Sequence, residues 1–159
     1  MTKEHTYRVT VQWKGNLGEG TKHYSTYSRN HEIKAIDKPP IFGSSDPAFR
    51  GDASRYNPEE LFVSTLSSCH MLWFLHLCTV NKITVESYND EPIGTMQETE
   101  KGSGYFKKVT LRPSVVIREA GQEAIINKIH HQAHEYCFIA NSVNFEVAIE
   151  GKVSVETKM

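Results

Sequence analysis

The chain has 159 residues, with 18 Lys and Arg against 19 Asp and Glu and a formal net charge of −1. That near-neutral balance gives no electrostatic reason to expect nucleic acid or an anionic membrane as partner. Hydrophobic residues make up 38% and charged residues 23%, and seven Tyr, seven Phe and two Trp argue against disorder. The length suits a single domain over residues 1–159 with a core that needs no disulfide staples.

Met1 to His5 is polar and no apolar run follows it, so no secretory signal is expected and a cytoplasmic location is the default. Thr6 to Trp13 alternates, with Tyr7, Val9, Val11 and Trp13 on one face, and predicts a half-buried strand. Gly15, Gly18 and Gly20 mark a turn. Two further strands are expected over 21–28 and 31–36, completing a small meander. Residues 37–56 then read as a loop, carrying Pro39, Pro40, Pro47 and two arginines, Arg50 and Arg55. Loops this long are often functional.

Asn57-Pro58-Glu59-Glu60 opens a helix. Asn caps it, Pro takes the first helical position, and two acids occupy the first turn, where the dipole favours them. The helix is expected to run to about Val80 and, being apolar nearly all round, to lie centrally in the core. Residues 61–80 hold no formal charge and reach membrane-span length. Ser64, Thr65, Ser67, Ser68, His70, His76 and Thr79 are too many polar groups for a lipid-facing span. Residues 83–98 and 105–118 predict two long strands joined by the turn Glu100-Lys101-Gly102-Ser103-Gly104. A second helix is expected over 122–137, with Ile125, Ile126 and Ile129 facing inward, and a last strand over 144–155. The order βββ-α-ββ-α-β predicts an α+β fold, antiparallel β-sheets with two core helices.

Chemistry enters with the three cysteines. Cys69 and Cys78 share one helix at a spacing of nine, on opposite faces and about 13 Å apart along the axis. A disulfide needs Cα atoms within about 7 Å, so these two do not bond. Cys69 with Cys137 is a pairing that tertiary packing allows. All three can equally be small buried hydrophobes. A thiol in mid-helix gains little from the dipole and needs a nearby cation to become a thiolate. Arg50 or Arg55, on the loop before the helix, can reach back to supply one with Glu59 pinning the guanidinium, or both can be solvated loop charges. His130, His134 and Cys137 fall within a stripe about 60° wide, an arrangement open to a transition metal or to a His-rich exposed face. No Gly-x-Ser-x-Gly elbow, phosphate loop or glycosidase-like carboxylate pair is present.

Two segments carry a resemblance. Asn57-Pro58-Glu59-Glu60-Leu61-Phe62 with Ser67-Ser68-Cys69-His70-Met71, and Ala133 to Ser142 around Cys137, resemble the two cysteine regions of the OsmC/Ohr family, the osmotically inducible and organic hydroperoxide resistance proteins. The order of elements resembles that family along the whole chain, and the OsmC-like branch in particular. The resemblance implies an OsmC-like fold and an intertwined homodimer. It implies a thiol-dependent peroxidase acting on organic hydroperoxides or hydrogen peroxide. Cys69 resembles the peroxidatic cysteine, Cys137 the resolving one, and Glu59 the acid that holds a catalytic arginine. That arginine is expected at Arg50, with Arg55 as the alternative. No cofactor is implied. The partners implied are the hydroperoxide and an external dithiol, of lipoyl type by resemblance. A non-enzymatic metal-binding or redox-sensing module on His130, His134 and Cys137 is the alternative. His70 departs from the apolar residue that many peroxidase members carry after the cysteine.

Overall fold

The computed structural model describes residues 3–156. It divides into two compact units, one up to Leu61 and one from Phe62 onward.

In the first unit, β1 (Thr10–Trp13), β2 (His31–Lys34) and β3 (Ile41–Gly43) form an antiparallel sheet in that order. Val11 faces Ile33, and Ile33 faces Ile41. The strand expected over 21–28 does not form. Its residues make a turn because Thr26 bonds locally: its hydroxyl donates to the His23 carbonyl at 3.0 Å and accepts the His23 N–H at 3.2 Å. Such side-chain bonds compete with a sheet ladder. The third strand comes instead from inside the expected loop, at Ile41–Gly43. The loop continues through a 3-10 turn at Pro47–Phe49, capped by Asp46, whose carboxylate accepts the Ala48 N–H at 2.7 Å.

Helix α1 runs Pro58–Val80 and starts as its sequence dictates. The Asn57 side chain accepts the Glu60 N–H at 2.8 Å, and Glu60 accepts the Asn57 N–H at 3.0 Å. Two otherwise orphaned donors are thereby satisfied reciprocally. By length and composition α1 could cross a membrane. It buries Leu66, His70, Phe74 and Cys78, a single stripe at four-residue spacing, against the protein's own sheets. Its other faces are more open than expected of a central helix: Leu72 and Val80 are each 63% exposed.

The two long strands expected after α1 are four shorter ones: β4 (Val85–Asp90), β5 (Ile93–Glu98), β6 (Gly104–Leu111) and β7 (Pro113–Ile117). The breaks fall at Pro92 and at Arg112-Pro113. Proline donates nothing to a ladder, and the Arg112 N–H leaves the ladder to donate to the Asp90 carboxylate at 2.6 Å. Helix α2 follows at Glu123–Tyr136 and buries Ile126, Ile129, His130 and Ala133. Ile125, expected inside, is 41% exposed, because the inward stripe runs one residue later in phase.

The last expected strand is also two, β8 (Glu146–Ile149) and β9 (Lys152–Val155). Both pair in parallel, β8 with β6 and β9 with β7, so the sheets are mixed rather than wholly antiparallel. The result is two three-stranded sheets, β4-β7-β9 and β5-β6-β8. Each has its own core. Phe74, Cys78, Val115, Ile117, Ile126, Ile129 and Ala133 fill the first. Leu66, Val109 and Leu111 fill the second, with Phe62, Phe106 and Phe145 ringed around them at centroid distances of 5.1–6.0 Å. Two helices on these sheets make the α+β fold.

Candidate redox site

Helix α1 holds Cys69 one turn beyond the buried Leu66, half-buried. Cys137 sits where α2 ends. Its N–H donates to the His134 carbonyl at 3.2 Å, and its backbone then leaves the helix at φ −68°, ψ 107°. The chain recoils at once into a 3-10 turn, Ala140–Ser142. The Asn141 side chain ties that turn back to the Glu135 carbonyl at 2.8 Å. The turn aims backbone donors at the sulfur: the Ala140 N–H points at Cys137 Sγ at 3.4 Å, and the Ile139 N–H contributes as well.

The two helices bring these thiols together. Burial pushes the Cys137 thiol up to about 11, and a hydrogen bond to the Cys69 side chain adds to the effect. At neutral pH Cys137 is therefore a thiol, with the Cys69 side chain beside it. Both cysteines are free. Cys78 lies elsewhere, in the core beside Phe74, its thiol pushed up to about 12 by burial alone.

Aromatic rings flank the pair. Trp73, one turn after Cys69, stacks on Tyr136 at 5.1 Å and meets Phe138 edge-on at 5.9 Å. Phe138 is 70% exposed, so the dithiol adjoins an open apolar surface. The polar residues that surround Cys69 in sequence scatter in space. Ser67 donates to Asp90 at 2.5 Å, and Ser68 donates to the Thr65 carbonyl at 3.2 Å. His70 turns into the core, where its Nε2 lies 3.0 Å from Nδ1 of His130. Phe74 stacks on the His130 ring at 4.2 Å. Sequence reading missed this pair because its members are 60 residues apart. The available signal was an imidazole at position 70 in an otherwise apolar stripe.

His130, His134 and Cys137 do not gather as a metal set. His130 pairs with His70, Cys137 turns to Cys69, and among the described residues no group of three or more His, Cys, Asp or Glu side chains converges on a metal-sized point.

Arg50, Arg55 and Glu59 belong to the first unit. Arg50 closes the 3-10 turn in the left-handed region at φ 62°, with its guanidinium 5.8 Å from the Tyr24 ring centre. Arg55 is engaged by Asp52 at 3.4 Å and lies 5.5 Å over Phe42. Glu59 stands in the first turn of α1. Among the described residues no ion pair joins Glu59 to either arginine.

The sequence model of the OsmC-like protein family matches residues 51–152. No curated protein sequence matches the chain at a significant level. Among solved structures, an OsmC-like protein of unknown function from Vibrio cholerae is 37% identical, with 95% of this chain and all of that one covered at a TM-score of 0.82. An OsmC-like protein from Mycoplasma pneumoniae is 15% identical, with coverage of 96% and 99% and a TM-score of 0.70. An organic hydroperoxide resistance protein from Elizabethkingia anophelis is 16% identical, with coverage of 98% and 100% and a TM-score of 0.67. The last two share the fold alone. The family match over most of the chain and the 37% identity across nearly its full length place this protein in the OsmC-like family.

Proposed function

We propose that the protein is a thiol peroxidase that reduces organic hydroperoxides or hydrogen peroxide through Cys69 and Cys137. The observation that carries this reading is that the Cys69 side chain lies beside the Cys137 thiol, near enough to favour its protonated form. The organic hydroperoxide resistance protein that shares the fold points to the same chemistry.

The roles follow from burial. Cys137 is buried and keeps its proton at neutral pH, whereas Cys69 is half-buried and open to a peroxide. The Cys69 thiolate attacks the distal peroxide oxygen and the O–O bond breaks. The alkoxide takes up a proton and leaves as alcohol, or as water from hydrogen peroxide. Cys69 is thereby oxidised by two electrons to a sulfenic acid. The Ile139 and Ala140 N–H groups face the Cys137 sulfur and stabilise its thiolate as its proton passes to the departing hydroxide. That thiolate attacks the Cys69 sulfur and expels hydroxide, which leaves as water. An external dithiol, of lipoyl type by family resemblance, exchanges with the disulfide, returning both thiols and becoming a disulfide itself.

Arg50 is the assigned cation and Glu59 its holder, both by position in the family pattern. Arg50 is favoured over Arg55 because Asp52 already occupies Arg55. A homodimer is part of the proposal: in the single chain Leu72 and Val80 of α1 and Val11, Ile36 and Phe42 of the first unit are exposed apolar side chains that a second copy would cover. Three free thiols suit the reducing cytoplasm.

The test is peroxide loss in a mixture of protein, cumene hydroperoxide and a lipoyl-type dithiol. The parent should turn over. Cys69→Ser should consume nothing, and Cys137→Ser should stop after one turnover with a sulfenic acid that a 1,3-dione traps. Turnover by Cys69→Ser at the parent rate would overturn the proposal.

A further inference from the structure

One cavity is lined by none of the three cysteines. A cavity of about 190 Å³ opens between α2 and β8, with His130, His131, His134 and Asn127 on one wall and Val147, Ile149 and Gly151 on the other. Its size suits a small molecule rather than a drug-sized one. Two of its groups are anomalous. His130 is only 4% exposed, and its Nε2, on the side of Gly151, is buried with no hydrogen-bond partner among the described residues. His134 Nδ1 is likewise buried and unpartnered. Buried polar atoms without partners are rare, since each forfeits its hydration.

The His70–His130 pair fixes what His130 offers. Burial holds both imidazoles well below their usual range, to about 3 for His70 and about 4 for His130, so both are neutral at pH 7. Each then carries one proton, and one of the two donates across the 3.0 Å contact. Either arrangement leaves one buried N–H without a partner among the described residues: on His70 Nδ1 if His130 donates, on His130 Nε2 if His70 donates. An orphaned buried N–H is costly. Only the second can be relieved by a guest in the cavity, which His130 lines and His70 does not. In that arrangement His70 Nε2–H donates to His130 Nδ1, and His130 carries its proton on Nε2.

We infer that this cavity is a binding site for a small carboxylate or oxyanion, received by the Nε2–H of His130 and by His134. A donor at the wall calls for an acceptor, whereas a metal ion would need a lone pair there. The lining agrees, because it offers imidazole and amide donors and contains no carboxylate. Gly151 keeps the access open: a Cβ at that position would stand 3.1 Å from His130 Nε2. This site is independent of the peroxidase reading, and peroxide consumption is not its readout.

The test uses the full chain labelled with ¹⁵N-histidine, read by long-range ¹H–¹⁵N spectra. His130 is assigned by loss of its signals in His130→Gln. The free protein should show the His130 proton on Nε2. Titration with sodium acetate, and separately with inorganic phosphate, should shift the His130 and His134 signals saturably; which of them binds tighter tells carboxylate from phosphate. His134→Ala should weaken binding about tenfold, the loss of one hydrogen bond to an anion. Gly151→Ala, which narrows the access, is the second variant and should weaken it as well. A proton on Nδ1 of His130, saturable zinc binding at His130 in place of anion binding, or no saturable shift with either anion would overturn the inference, the last leaving ordered water as the occupant.

Discussion

Acidification should unfold this protein through two named histidines. His70 and His130 are buried and neutral, with folded-state values of about 3 and about 4. An unfolded histidine titrates near 6.5. Below that value the unfolded chain binds two protons that the folded chain refuses. Their contribution to stability is therefore intact above pH 6.5 and is lost as pH falls toward 4. Each group costs about 1.4 kcal/mol per pH unit across that window. From pH 7 to pH 5 the two together remove about 4 kcal/mol, a large share of the roughly 5–15 kcal/mol that holds a domain folded. Urea unfolding at fixed protein concentration, followed by circular dichroism at pH 7 and pH 5, measures the loss. The comparison is His70→Gln/His130→Gln, which removes both titrations and keeps polar groups able to bond each other. The variant should be less stable than the parent at pH 7 but lose about 4 kcal/mol less on going to pH 5. An equal loss in parent and variant would refute the reasoning and assign acid sensitivity to the carboxylates.

Two further outcomes follow from local geometry. Alkylation of the reduced protein at neutral pH should label Cys69 first and leave Cys78 untouched until unfolding, because Cys78 is buried with its thiol near 12; peptide mapping of the labelled protein reads the order. Asn57→Ala should cost about 1 kcal/mol by removing half of the reciprocal cap with Glu60, measured as a shift in the urea midpoint at constant slope.

The start of α1 was legible because capping is local chemistry: Asn57, Pro58 and two acids specify a helix start without any tertiary help. The exclusion of a Cys69–Cys78 bond was legible too, since helix geometry alone separates them. The breaks in the long strands were written in the sequence at Pro92 and Pro113, but alternation on either side of each proline concealed them. The parallel pairing of β8 and β9 was not legible, as period-two alternation is the same in either direction. Thr26 decided against a strand through its own side chain, a competition that strand propensity does not register. At the site, the sequence brought Cys69 and Cys137 forward together, while the His70–His130 contact needed the packing of α1 against α2 to exist at all. The stripe of His130, His134 and Cys137 shows the converse: a shared helix face is not a shared point in space, because each of the three has a different partner or outlook.

If Cys69 and Cys137 exchange electrons with peroxide as a pair, peroxide drives the two into one disulfide. Reduced protein treated with stoichiometric cumene hydroperoxide, quenched with an alkylating agent, digested and mapped by mass spectrometry tests it in one measurement. The predicted result is a Cys69–Cys137 disulfide with Cys78 alkylated only after denaturation. A disulfide that includes Cys78, or a Cys69 that stays reduced while peroxide is present, would contradict it.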